Sequence, residues 1–513
     1  MASPDGRIDS AERAGQLGVR CPASGRIVGH VACMSATDVA VVAADLRRAQ
    51  PGWQAMGAAG RGRVLLRWLD WILDNERRLL ELLQAETGKS SGDAAIETTV
   101  AVDLINYYAK NSGRFLEDGH IAAHNLLGRA KRLRVRYEPY ELVGQIFPWN
   151  YPVAMPMLDV PAALMAGAAV ITKPSEATPL TWSEMVRGFR EEIDAPAVLG
   201  AVTGDGAAGA AVVDEVDTIM FTGSTRTGRS VAVQAAQRLI PCSLELGGKD
   251  PMIVLGDANL DRAVAGAVWG GFSNAGQTCI SVERVYVEDG IYDAFVTKLV
   301  GEVEKLRVGM DAPRSFSTDF GAIATEQQLQ IIERHFHDAL SKGARAITGG
   351  RRLEGGLFFA PTVLVDVDHS MLCMREETFG PILPVMRVAS EHEAVRLAND
   401  SAYGLSSSVW TSNPARGQRV ARQLQAGAVN INNAMANAFQ AGLPFGGWKN
   451  SGIGSRFGGA EAVRKYCKRQ AVLAERLNLK SELHWYPHRP RKAKFQSRMV
   501  RLIGAHDWRR RLG

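Results

Sequence analysis

Thr218-Ile219-Met220-Phe221-Thr222-Gly223-Ser224-Thr225-Arg226-Thr227-Gly228 joins a short apolar run to a glycine turn and then to a stretch of helical composition. A run of this length, closed by glycine, predicts a buried strand leading into a helix. The same unit recurs on both sides. Ala169-Val170-Ile171-Thr172-Lys173 precedes a helix from Thr181, and residues 198–202 precede an alanine-rich helix. Ser243-Leu244-Glu245-Leu246 is a fourth strand. Alternation of this kind predicts an α/β fold, a parallel sheet with helices on both faces. Such sheets bind ligands at the carboxyl ends of their strands.

From about Asp257 the pattern restarts as a second α/β domain. Its strands are read at 284–287, 346–348 and 428–431, and its helices at 260–273, 291–308, 325–343 and 390–399. Ahead of the first sheet, helices are read at 38–50, 59–83 and 92–111, and strands within 132–146. Residues 1–30 read as poorly ordered.

The chain has 513 residues, 46% apolar and 22% charged, which fits a soluble protein of two or more domains. Six scattered cysteines without a C-x-x-C pair fit a reducing, cytoplasmic setting. The first residues lack the apolar core of a signal peptide. Residues 142–172 contain no Lys, Arg or Glu, but Pro148, Pro152, Pro156, Pro161 and Asp159 argue against a membrane span. Residues 480–513 carry ten Lys and Arg against two acids, a balance of +8; with the whole chain at +6, the rest is −2. Phe495, Met499, Leu502 and Ile503 recur there at helical spacing among arginines, the pattern of a basic amphipathic helix. Such a helix can make weak contact with an anionic membrane surface, but packing over a neighbouring subunit or a solvated end is the favoured reading. No motif suggests nucleic-acid binding. His335, His337, His484 and His488 lack further ligands at zinc spacing and read as solvated, so no metal is expected.

Six stretches are candidates for chemistry. In Ser273-Asn274-Ala275-Gly276-Gln277-Thr278-Cys279-Ile280-Ser281 one cysteine follows a predicted helix, with Gly276 for a tight turn and Gln277 and Thr278 as polar groups beside the sulfur. Cys279 is a candidate nucleophile, or a small buried hydrophobe. Glu245 lies in an apolar strand before Gly247 and Gly248; desolvation would make it a usable base, and pairing with Lys249 is the alternative. Asn150, in the proline-rich Gln145-Ile146-Phe147-Pro148-Trp149-Asn150-Tyr151-Pro152, is a candidate oxyanion donor or a plain turn former. Two glycine turns compete as phosphate sites, 204–209 and 223–228, and the second is favoured because Ser224 adds a hydroxyl at the helix start. Lys173 and Glu176 could hold ribose hydroxyls. A carboxylate there disfavours a 2′-phosphate, hence NAD over NADP, whereas Arg226 leaves NADP open.

Phe147-Pro148-Trp149-Asn150, Lys173-Pro174-Ser175-Glu176, Phe221-Thr222-Gly223-Ser224-Thr225, Glu245-Leu246-Gly247-Gly248-Lys249, Gly276-Gln277-Thr278-Cys279, Glu377-Thr378-Phe379-Gly380-Pro381 and Pro444-Phe445-Gly446-Gly447 occur in that order. Over about 35–475 the chain resembles the aldehyde dehydrogenase superfamily. The resemblance implies two Rossmann-type domains, at 1–117 with 140–246 (dinucleotide-binding) and 247–461 (catalytic). It also implies a small β arm for oligomerisation at 118–139 with 462–475, leaving 476–513 as a basic extension. It implies that Cys279 is the nucleophile, that Asn150 and the Cys279 N–H form the oxyanion hole, and that Glu245 activates the deacylating water. It further implies that Ile146, Trp149, Lys173, Ser175, Glu176, Gly223, Ser224, Glu377 and Phe379 bind the dinucleotide, NAD with NADP possible. Aldehyde oxidation would pass through a thiohemiacetal and a thioester, one difficult step split into two.

Short stretches resemble bacterial succinate-semialdehyde enzymes, yet Ser273 and Leu158 stand where those carry arginines that meet a substrate carboxylate. With Met155, Leu158 and Ile280 as expected tunnel walls and Phe439 at its mouth, an uncharged aliphatic or aromatic aldehyde is the favoured substrate. A succinate-semialdehyde dehydrogenase, a non-catalytic binding protein and a thioesterase-like hydrolase are the alternatives. A homodimer or homotetramer is expected.

Overall fold

The computed structural model describes residues 15–477, 480–482 and 484–512. Contacts divide the chain into two units: Glu138–Lys468 with the N-terminal residues to Leu116, and Glu117–Tyr137 with Arg469–Gly513.

The larger unit holds both sheets. The first is built from β1 (Leu142–Ile146), β2 (Ala169–Lys173), β3 (Leu199–Ala201), β4 (Thr218–Thr222) and β5 (Cys242–Glu245). They are parallel in the order β5-β4-β1-β2-β3. Every residue of β2 and β4 is buried, which is why they read as unbroken apolar runs rather than alternating ones. The second sheet comprises β6 (Asp250–Val254), β7 (Val282–Glu288), β8 (Arg345–Thr348), β9 (Thr362–Val365), β10 (Ile382–Val388), β11 (Ser406–Trp410) and β12 (Ala428–Ile431). Its order is β8-β9-β10-β7-β6-β11-β12, parallel except for β8 at one edge. A short β13 (Gly452–Ile453) returns to pair antiparallel with β5, bringing the segment after it beside Glu245.

Buried carboxylates fix the backbone that leads to the site. Glu97, in helix α1 (Ser91–Phe115), accepts from Val153 N at 2.8 Å and Ala154 N at 2.9 Å, and pairs with Lys89. It thereby satisfies orphan donors at the start of the turn after Asn150. Glu86 does the same for the Leu180–Arg187 helix, accepting from Leu180 N and Thr181 N.

Three expectations change. Residues 16–32 are ordered: Gln16–Arg20 and Ile27–Ala32 form an antiparallel hairpin anchored by buried Val19 and Cys21, while residues 1–14 lie outside the described ones. The helix read at 59–83 is two, Gly57–Asp74 and Glu76–Thr87, broken at Asn75, whose side chain turns back to donate to Trp71 O. The helix read at 291–308 is Asp289–Val303.

Gly119–His120, Lys131–Pro139 and Cys467–Glu475 form a three-stranded sheet that makes up most of the β-structure of the smaller unit. Its C-terminal helix, Pro490–Gly504, has no buried residue. Among the described residues no helix is long and apolar enough to cross a membrane. All six cysteines are free thiols.

Candidate active site

Helix α4 ends the approach to Cys279; naming the helices between, α2 is Gly206–Glu215, α3 is Thr225–Gln237 and α4 is Leu260–Phe272. After α4 the chain makes a short turn in which Asn274, Ala275 and Gly276 all have positive φ, 53°, 58° and 71°. Two of the three carry side chains, so the turn is strained, as backbone at functional sites often is. Gly276 has no alternative: a Cβ there would lie 2.3 Å from Gly380 O. Asn274 N donates to Asp93 Oδ1 at 3.1 Å. Gln277 is a staple: its Nε2 donates to Asn274 O and Ala322 O, and its Oε1 accepts from Ala324 N. Thr278 Oγ1 lies 2.9 Å from Tyr151 OH. These two side chains therefore hold the loop rather than face the sulfur, because each finds a buried partner elsewhere.

Residues 273–278 are all buried, but Cys279 is partly open. It faces a cavity while lying deep in protein, so desolvation pushes its thiol up to about 12; Arg456 acts in the opposite sense.

Glu245 ends β5 and is 3% exposed. Neither of its carboxylate oxygens has a hydrogen-bond partner among the described residues. Burial pushes it up to about 7, with Arg456 and Lys465 pulling it down. The alternative partner is excluded: Lys249 forms a buried ion pair with Glu283 and donates to Thr378 Oγ1 at 3.2 Å. Gly248 is glycine because Cβ would stand 2.4 Å from Cys279 O. Asn150 is buried and its Nδ2 donates to Gln277 O at 2.9 Å; an amide nitrogen carries a second N–H.

Two cavities meet at Cys279. One is lined by Trp149, Asn150, Gly223, Ser224, Glu245, Glu377 and Phe379, with Met155 and Thr222. Glu377 Oε1 accepts from Gly248 N at 2.9 Å, and burial beside Glu283 pushes Glu377 up to about 8. Phe379, at φ 50°, meets Trp149 edge-on, ring centroids 5.4 Å apart. Glu283 fixes that turn by accepting from Thr378 N and Phe379 N, both at 2.8 Å. Ile146, Lys173, Ser175 and Glu176 do not line this cavity. Ile146 and Lys173 are the last, paired residues of β1 and β2, and Ile146 also pairs with Phe221 of β4, so three strand ends stand level. Lys173 Nζ lies 3.2 Å from Glu176 Oε2, and Ser175 Oγ accepts from Ala177 N.

The two glycine turns are not equivalent. Ser224 caps α3, its Oγ accepting from Thr227 N, so the cap itself is neutral and no acid lies in the first turn. Asp205 caps α2, accepting from Ala207 N at 2.9 Å. A carboxylate at that terminus repels a phosphate, whereas the Ser224 end suits one. The neutral cap, the level strand ends and the cavity beyond them fit a dinucleotide.

The second cavity is almost wholly apolar. Met155, Leu158, Ile280 and Phe439 all line it, with Phe439 45% exposed. Sequence reasoning missed Tyr151, Trp269, Phe445, Phe457 and Arg456, which share the lining. A lone acid in the apolar 142–172 run, Asp159, was the signal for Arg456, its buried partner. His335, read as solvated, is fully buried, and desolvation brings it down to about 3.

A family model described as the aldehyde dehydrogenase family matches residues 8–472. The chain is 39% identical over 470 residues to 4,4'-diapolycopene aldehyde oxidase of a Methylomonas species, covering 91% of this chain and 87% of that one. It is 40% identical over 461 residues to a Mycolicibacterium smegmatis protein provisionally named succinate-semialdehyde dehydrogenase [NADP(+)], covering 89% and 88%. A solved structure of Mycobacterium tuberculosis aldehyde dehydrogenase complexed with NAD+ superposes with a TM-score of 0.84 at 33% identity, covering 90% of this chain and 95% of that one.

Proposed function

The chain belongs to the aldehyde dehydrogenase family, and on that premise we propose that it oxidises an uncharged aliphatic or aromatic aldehyde through covalent chemistry at Cys279. The observation that carries this reading is that Cys279 lines both cavities, one polar at its far end and one apolar.

The Cys279 thiol gives its proton to solvent and its Sγ bonds to the aldehyde carbon, the C=O electron pair moving to oxygen; loss of a hydride from that carbon to a bound dinucleotide would then leave the thioester. The Asn150 amide and the Cys279 N–H face the oxygen on which charge develops. Glu245 then takes a proton from the water that cleaves the thioester. Gly223 and Ser224 hold the pyrophosphate of a nicotinamide dinucleotide, Lys173, Ser175 and Glu176 its adenosine ribose, and Glu377 and Phe379 the nicotinamide ribose, with Ile146 and Trp149 as walls. When bound, that group supplies the two-electron acceptor. NAD is favoured by the Glu176 carboxylate. Its ion pair with Lys173 and exposed Arg226 on the first turn of α3 leave NADP open.

The names of the relatives point to two substrates, a long apolar aldehyde and a short acidic one. The lining favours the first. Its cation, Arg456, is already engaged by Asp159 at 3.0 Å, so a substrate carboxylate would have to displace that partner. Residues 1–117 with 140–246 are assigned to dinucleotide binding, 247–461 to the thiol chemistry, and 118–139 with 462–475 to assembly of a homodimer or homotetramer in the cytoplasm. The exposed basic helix Pro490–Gly504 presents Phe495, Leu502 and Ile503 and suits the surface of an anionic membrane.

The test is a kinetic screen of butanal, octanal, benzaldehyde and succinate semialdehyde with both coenzymes, beside Cys279→Ala. Reduction of coenzyme by the neutral aldehydes and none by the variant is expected. Undiminished activity in Cys279→Ala would sink the thiol mechanism. A marked preference for succinate semialdehyde would reassign the substrate.

A further inference from the structure

Asp159 sits within the apolar 142–172 run and is 1% exposed. A bare carboxylate there would be costly. Three groups hold it: Arg456 Nε donates to Oδ2 at 3.0 Å, and Lys465 Nζ and Tyr466 OH each donate to Oδ1 at 2.7 Å. Lys465 Nζ also donates to Ser455 O and Arg456 O. Arg456, 2% exposed, donates in addition to Thr222 Oγ1, and its guanidinium lies 3.9 Å from Met155 Sδ.

The cluster holds two cations and one anion, a surplus of positive charge in a buried place. Such a surplus needs a nearby negative group. Thr222 stands directly opposite Glu245 across the β4–β5 pair, and the Glu245 carboxylate has no hydrogen-bond partner among the described residues. The charged and titratable groups around Glu245 are Arg456, Lys465 and Asp159, with Cys279 and Glu377 in the lining of the same cavity and Tyr466 and Tyr108 behind Asp159.

We propose that Arg456, backed by Lys465, is a positioning residue for the hydrolytic half-reaction: the surplus charge of the cluster keeps Glu245 a carboxylate at the cavity wall, ready to accept a proton. The inference rests on the roles given above to Cys279 and Glu245. In that step a water proton passes to Glu245 and the water oxygen bonds to the thioester carbon. The C–S bond breaks with its electron pair on Cys279 Sγ, and the acid leaves. Burial pushes Glu245 up to about 7 against the pull of both cations, so removing either cation moves it further up.

The experiment follows hydrolysis of a chromogenic acetate ester against pH, without coenzyme, in wild type, Arg456→Met, Arg456→Lys, Lys465→Met and Glu245→Gln. Deacylation should rise with pH along a limb set by Glu245. In Arg456→Met and Lys465→Met that limb should move up by about one pH unit, with about fivefold slower deacylation at pH 7; the acylation burst should be unchanged in Lys465→Met, whereas Arg456→Met, which also removes the cation that draws the Cys279 thiol down, should slow it. Arg456→Lys should restore the wild-type limb. Lys465 is not part of the cavity lining, so Lys465→Met decides the matter should Arg456→Met fail to fold. An unmoved limb in the charge-removing variants, with Glu245→Gln still abolishing it, overturns the proposal. A profile unchanged in Glu245→Gln overturns the base role, and this inference with it.

Discussion

Glu245 shows how one residue links chemistry to stability. Its ordinary value is 4.5 and burial raises it to about 7 in the fold. The folded state therefore binds a proton more tightly than the unfolded chain. The stabilisation is fully present below the unfolded value and is lost as pH rises through about 7. Glu245→Gln, which has no charge to bury, should then be more stable than wild type at pH 8–9, by up to roughly 3 kcal/mol. Thermal unfolding at pH 5 and pH 9 checks this; an equal difference at both values would refute it. The desolvation of Glu245 was legible because its strand is apolar on both sides in sequence. The partner of Lys249 was not, because Glu283 lies in another strand and pairing across a sheet leaves no local trace. The same holds for Gln277, which looks like a site residue beside the sulfur and proves to be a staple for backbone more than forty residues away. Arg456 reads as an ordinary surface arginine until Asp159 is seen beside it.

Among elements, the turn at Glu377–Phe379 depends on one acceptor from elsewhere. Glu283 takes both the Thr378 and Phe379 amides and is itself neutralised by Lys249. Glu283→Ala would orphan a buried ammonium and two amides, and should cost on the order of 3–5 kcal/mol in denaturant unfolding. Lys249→Met with Glu283→Leu should recover much of that stability yet leave coenzyme affinity weakened, since the turn still lacks its acceptor. Equal coenzyme affinity in the double variant and wild type would exclude that role for the turn. The strands of the first sheet were legible because each is a short apolar run flanked by glycine or proline. In the second sheet β6, β9, β10 and β11 were not read. Pro251 and Pro384 lie within two of these strands, and β11 begins with three serines, so composition does not announce a buried strand. The break at Asn75 was hidden by a helical spacing that continues across it.

At the scale of the molecule, the basic extension forms a unit of its own with the three-stranded sheet. Helix α5 (Pro490–Gly504) and the following Trp508–Leu512 carry their cations beside exposed Phe495, Val500, Leu502, Ile503 and Trp508. Deleting residues 490–513 should abolish binding to phosphatidylserine vesicles while sparing turnover of butanal, and wild-type binding should weaken as salt rises. Sedimentation with vesicles measures it; equal binding by the truncated chain would remove the tail from that role. Charge asymmetry was legible because it needs only counting. The lie of the hairpin at 16–32 was not, since its turn is tied to residues remote in sequence, Cys21 to Met310 and Pro22 to Leu357.

The meeting of two differently lined hollows at a single sulfur has a kinetic corollary. Reactant and electron carrier need not pass each other, so neither must depart before the other arrives. A carboxylic acid product should then compete with fresh aldehyde for the greasy hollow while leaving coenzyme saturation untouched. Inhibition patterns alone would make this double-doored layout visible in a cuvette.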